Sequence, residues 1–238
     1  MVGHISSTYD DELKSILRRI SEMGGQAERI VARAVETLMR SDAEGAQAVV
    51  KEDKLLDAAQ RELDEYAIRT IAKRQPMAQD LREIVGAIRI SNDLERIGDL
   101  GKNIAKRVIA IHEHKQPVKL TRGLEHLSEL ALEQLKDVLD AYAVRDESRA
   151  ERVRARDEEI DAMYTSIFRE LLTYMMEDPR NITACTHLLF SAKNIERIGD
   201  HATNIAETIY YIKTGHQMEL DRPKDDRTHA IVAPVKSD

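Results

Sequence analysis

The chain has 238 residues, a net charge of −7 and one cysteine. That length suits one large domain or two modest ones. The single Cys185 excludes a disulfide framework and a CxxC metal site. The acidic balance, with both signs mixed, excludes a general nucleic-acid binder, which needs a basic face to release counterions.

Aromatic residues make up 4 % of the chain, with no Trp. Ala, Leu, Ile, Glu, Arg and Lys dominate, and most of these favour helix. No apolar run reaches the roughly 20 residues of a membrane span. The opening residues do not read as a signal peptide. The expectation is a soluble, cytoplasmic, all-α protein, with Cys185 as a small core residue.

Six long helices are expected. The first covers 10–40. Ser41 with Glu44 three residues on matches a capping box and opens a second helix reaching 74. Gln75 is turned from helix by Pro76, which starts a third helix at its first position, running to 112. The stretch 114–120, around Pro117, reads as a linker. A fourth helix follows over 121–144 and a fifth over 147–176. Asp178 before Pro179 is an N-cap with proline at N1, opening a sixth helix that Gly215 ends. The polar remainder, 216–238, is expected to be disordered.

Internal repetition organises these elements. Residues 94–105 read LERIGDLGKNIA and residues 195–206 read IERIGDHATNIA, identical in eight of twelve columns at an offset of 101. A second echo pairs Asp53-x-x-Leu56-Asp57 with Asp157-x-x-Ile160-Asp161. Helices one to three therefore recur as four to six. The apolar positions Ile90, Leu94, Ile97, Gly101, Ile104, Val108 and Ile111 form a seam, as do Ile195, Ile198, Ala202, Ile205, Ile209 and Ile212. Short connections favour antiparallel neighbours. The expected architecture is two tandem up-down three-helix bundles, 8–115 and 119–215, related by internal duplication.

On the third helix Glu95, Asp99 and Asn103 lie four residues apart, roughly opposite the seam; Glu196, Asp200 and Asn204 repeat this. These are expected to be outward acidic stripes. If the second helix lies beside the third, Asp53 and Asp57 meet Glu95 and Asp99 along a shared groove, and Asp157 and Asp161 meet Glu196 and Asp200. All-oxygen sites suit Mg, Mn or Fe(III), with Zn admissible. Acidic pairs four apart are common where 43 residues are acidic. Their repetition in register with Arg-Ile-Gly is what singles these out. Gly98 and Gly199 cost about 1 kcal/mol each inside a helix, which points to close helix packing. Arg96 and Arg197 serve either an anionic partner or nearby carboxylates. His201, aligned with Leu100, is not expected to be a ligand. His112-Glu113-His114 reads as a surface helix end, and Met163, Met175 and Met176 as core filling.

The doubled Glu-Arg-Ile-Gly-Asp followed by Asn-Ile-Ala resembles the PhoU family of phosphate-signalling regulators, as does the run Arg74-Gln75-Pro76-Met77-Ala78-Gln79-Asp80-Leu81-Arg82. The resemblance spans 8–215. It implies two tandem three-helix bundles, often dimeric, with metal on the motifs Asp53 with Asp57, Glu95 with Asp99, Asp157 with Asp161, and Glu196 with Asp200. The metal would be iron or zinc, with Mg or Mn as alternatives. The implied function is negative regulation of phosphate uptake and of the phosphate-starvation response. The implied partners are a sensor histidine kinase and the ATPase subunit of the phosphate ABC transporter. These would hold a cytoplasmic homodimer near the inner membrane. No catalytic residue is implied. A metal-free helical adaptor predicts the same fold and partners. A di-metal carboxylate enzyme would need inward Glu-x-x-His pairs, which the sequence lacks.

Overall fold

The computed structural model describes residues 2–113 and 118–218, and the side chains of 9–113 and 121–218. These residues form α1 (Val2–Arg40), α2 (Ala43–Arg74), α3 (Ala78–Ile111), α4 (Val118–Val144), α5 (Glu147–Ala155), α6 (Asp157–Glu177), a 3-10 turn (Pro179–Asn181) and α7 (Ile182–Thr214). No strand occurs among the described residues. Of the expected linker, Val118–Leu120 are helical, and 114–117 lie outside the described residues. The expected tail falls almost wholly outside them too.

Each half is a three-helix bundle. In the first, α1, α2 and α3 pack together; in the second, α4 and α7 pack with the α5–α6 pair. The seams on α3 and α7 are buried at every expected position. The halves meet mainly through α3 and α7. Gly86 there lets Ile212 approach so closely that a Cβ would sit 2.4 Å from its Cδ1. Asp93 of α3 accepts from His201 at 2.8 Å and from Asn204 at 3.4 Å. Arg107 stacks on Phe190 and Arg89 on Tyr211, at 4.5 and 5.0 Å from the ring centroids. Partner numbers fall on one helix as they rise on the other, so α3 and α7 run antiparallel. The buried apolar residues of both halves form one continuous core.

Several helix ends differ from expectation. Asp42, not Ser41, caps α2, its carboxylate accepting from the Gly45 N–H at 2.9 Å. Ser41 instead makes the turn in the left-handed region at φ 53°. Pro76 lies before α3 rather than at its first position, because Gln75 is also left-handed (φ 48°) and closes α2 by donating to Ile71. The expected fifth helix is interrupted at Arg156. Arg149 and Arg156 clamp the two pieces to α4, on Asp137 and Asp140 and on Glu133 and Asp137 respectively, at 2.9–3.0 Å. Asp178 does cap, but it caps the 3-10 turn that precedes α7. Gly215 ends α7 in the left-handed conformation, as expected.

Candidate metal centres

The carboxylates of both repeats turn into grooves rather than out to solvent, so the expected outward stripes are corrected. The cause is that α3 is flanked by α1, α2 and α7. α2 packs along the side of α3 that carries Glu95, Asp99 and Lys102 and half-buries them, while Asn92, Arg96 and Lys106 stay exposed.

In the first groove Asp53 of α2 is buried, 2 % exposed, while Asp57, Glu95 and Asp99 are half-buried. Carboxylate oxygens of Asp53, Asp57 and Asp99 lie within 4.8 Å of one another. Lys102 donates to both Asp53 and Asp99. Burial opposes the charge on Lys102, but its bonds to the two carboxylates outweigh that and raise its pKa. Burial also raises the Asp53 pKa against the pull of Lys102. Burial followed by the charge of Asp99 raises that of Glu95. Arg96 lies 3.7 Å from Glu95 and 3.9 Å from Asp99 at the exposed rim, pairing with its neighbours.

In the second groove Asp157, Asp161 and Glu196 are all buried, and Asp200 is half-buried. Thr203 donates to Asp157 at 3.3 Å and accepts from Gln134 of α4 at 3.2 Å. Lys193 donates to Glu196 at 2.9 Å and lies over the Tyr164 ring. Burial, with Asp200 and Asp161 adding like charge, pushes the Glu196 carboxyl up to about 7.

The repeated glycines lie where the helices touch. A Cβ on Gly98 would meet Leu56 at 2.4 Å, and one on Gly199 would meet Gln134 at 2.9 Å and Ile160 at 3.0 Å. Close packing is therefore the reason for both.

The donor set of the first groove fits a hard cation: among the described residues, Asp53, Asp57 and Asp99 are the ones whose oxygens converge, without Glu95 and without a matching group in the second groove. Asp53 Oδ1 and Glu196 Oε2 are buried carboxylate oxygens with no hydrogen-bond partner. Each carboxylate is paired with a lysine through its other oxygen, but a buried oxygen left without a donor still carries a desolvation cost. All-oxygen donors suit Mg, Mn or Fe(III) and admit Zn. His201 faces Asp93 across the α3–α7 contact. Met163 and Met175 pack on the core, but Met176 is exposed.

Sequence reasoning missed Lys102 and Lys193. Each stands three residues from an acid of the motif, a spacing that places both side chains on one helix face. It also missed Asp93, Gln134 and Thr203, whose partners lie on other helices and leave no local signal.

The PhoU domain matches residues 20–108 and again 124–209. A Rhizobium meliloti protein named phosphate-specific transport system accessory protein PhoU homolog is 67 % identical, over 96 % of this chain and 97 % of its own length. A Caulobacter vibrioides protein of the same name is 52 % identical, over 95 % and 98 %. Among solved structures, PhoU from Pseudomonas aeruginosa superposes with a TM-score of 0.84 at 36 % identity, covering 87 % of this chain and all of that one. The phosphate transport system regulatory protein PhoU from Streptococcus pneumoniae gives 0.83 at 27 %, covering 89 % and 100 %.

Proposed function

Because the chain belongs to the PhoU family, we propose that it is an accessory regulator of a phosphate-specific transport system, acting as an adaptor and not as an enzyme. In this reading it restrains phosphate uptake and the phosphate-starvation response when phosphate is plentiful. Its partners are the ATPase subunit of the phosphate ABC transporter and a sensor histidine kinase. It works as a homodimer held near the membrane by those partners; none of the described helices is long and apolar enough to cross a bilayer.

The observation that carries the metal part is the pair of unpartnered, buried carboxylate oxygens, Asp53 Oδ1 and Glu196 Oε2, one in each half. Asp53, Asp57, Glu95 and Asp99 would hold a cation in the first groove, and Asp157, Asp161, Glu196 and Asp200 one in the second. A bound iron, zinc, magnesium or manganese ion would supply charge neutralisation. The residues themselves fix α2 against α3, and α6 against α7, and so set the shape of the surface offered to a partner. A metal-free adaptor is the second reading, favoured by the Lys102 ammonium already between Asp53 and Asp99.

The test is genetic and chemical. Deleting the gene should switch on a phosphate-starvation reporter in high phosphate, and the wild-type chain should silence it. Alanine at all eight carboxylates should abolish both bound metal, by elemental analysis, and silencing. A reporter indifferent to the deletion would overturn the regulatory role. Silencing by a variant shown to carry no metal would favour the metal-free adaptor.

A further inference from the structure

We propose that the Lys102 ammonium is the resident cation of the first acidic groove, occupying the place a metal ion must take and so setting how tightly that groove binds one. This rests on the metal reading above and deepens it.

Lys102 follows Asp99 by three residues on α3. Its Nζ donates to Asp99 on its own helix and to buried Asp53 on α2. One ammonium thus joins the two helices where the oxygens of Asp53, Asp57 and Asp99 converge. Asp53 keeps Oδ1 buried and without a hydrogen-bond partner. The groove therefore offers one bare, buried oxygen on Asp53, beside the half-buried Asp57, while one oxygen each of Asp53 and Asp99 is engaged by the ammonium. A cation drawn to all three carboxylates has to share Asp53 and Asp99 with that ammonium. The ammonium then has to leave, because two cations a few ångströms apart in a half-buried groove repel strongly. A lysine can leave: its stem is flexible and its head is readily hydrated. Any metal bound here has to offset the displacement of a partner the fold already supplies, which lowers its apparent affinity.

The duplication gives an internal comparison. Thr203 stands where Lys102 stands in the first copy, among the four columns of the twelve-residue motif that differ. Its hydroxyl donates to Asp157 and brings no charge. The lysine of the second groove, Lys193, comes from the other side of the motif, three residues before Glu196. The two grooves are therefore built around differently placed ammonium groups.

The test is calorimetric titration of the metal-free, full-length chain with Mn²⁺ and with Zn²⁺. Lys102→Met should bind at one site roughly ten-fold or more tightly than wild type, because a nearby unit charge has gone. Adding Asp99→Asn should abolish that gain. Lys102→Arg keeps the charge and should keep near wild-type affinity, separating charge from packing. Metal-free Lys102→Met should melt below wild type, with a larger upward shift on adding metal. If Lys102→Met does not fold without metal, Lys102→Gln gives the same comparison with a polar side chain. Wild-type binding with no gain in the Met or Gln variant would overturn the role of Lys102 and leave the metal reading intact. No binding of either ion by wild type or variants would overturn both.

Discussion

A carboxylate that is protonated more readily in the fold than in the unfolded chain makes stability depend on pH. Glu196 is such a group, its carboxyl raised to about 7 by burial and by Asp200 and Asp161. A raised acid means that the folded state binds more protons than the unfolded state. Its contribution is favourable below the ordinary carboxylate range and is lost as pH climbs through about 7. Metal-free protein should therefore lose stability relative to Glu196→Gln between about pH 5 and pH 8. Thermal melts of the two proteins should nearly coincide at the lower pH, with the variant the more stable at the higher. Parallel curves would mean that Glu196 is ionised in the fold throughout. A second residue-scale test concerns Gly98, where propensity and packing oppose each other. Alanine gains about 1 kcal/mol of helix propensity. Its Cβ would overlap Leu56, itself 1 % exposed, and overpacking costs about 1–3 kcal/mol. Gly98→Ala should lose on the order of 1 kcal/mol net in urea denaturation, and a gain would show that Leu56 has room to move.

Among the elements, the helix junctions rest on residues that do not advertise themselves. Ser41, Gln75, Ala78 and Arg145 all take positive φ without being glycine. Asp42→Ala removes the cap of α2 and should cost about 1 kcal/mol. Gln75→Gly, at φ 48°, should instead raise the melting temperature, by relieving about 1 kcal/mol of left-handed strain. These junctions explain what the sequence could and could not reveal. The seams and the repeat were legible because each depends on spacing along one helix, repeated twice; the meeting of Asp53 with Asp99 followed only once the second helix was set beside the third. The ends of α2 and α3 were misplaced because Ser41 and Pro76 carry strong local signals, while the chain turned at left-handed residues of ordinary type. The break at Arg156 was invisible for another reason: its partners, Glu133 and Asp137, are 23 and 19 residues away on α4. The orientation of the acidic stripes failed likewise. A helical wheel shows which residues share a face but not how many neighbours surround the helix.

Over the whole molecule, the question is whether a duplicated chain unfolds as two bundles or as one. The repeat alone would suggest two. The α3–α7 contact argues for one, because the core runs through it without interruption and Gly86 admits Ile212 against the α3 backbone. Asp93 adds half-buried polar links to His201 and Asn204 from the other half. Separating the halves would expose these faces of both central helices to water, at about 25 cal/mol per Å² of apolar surface. Cys185 makes this testable, since it is the single thiol of the chain, fully buried in the second half. Its reaction with a thiol reagent reports opening of that half, while far-UV circular dichroism reports helix in both. The two probes should give coincident transitions in denaturant, the mark of one cooperative unit. Gly86→Leu would wedge the seam apart, and it should lower both transitions and separate them. If the wild-type transitions were already separate, the halves would be independent bundles, and Gly86→Leu should then leave the midpoint of each nearly unchanged.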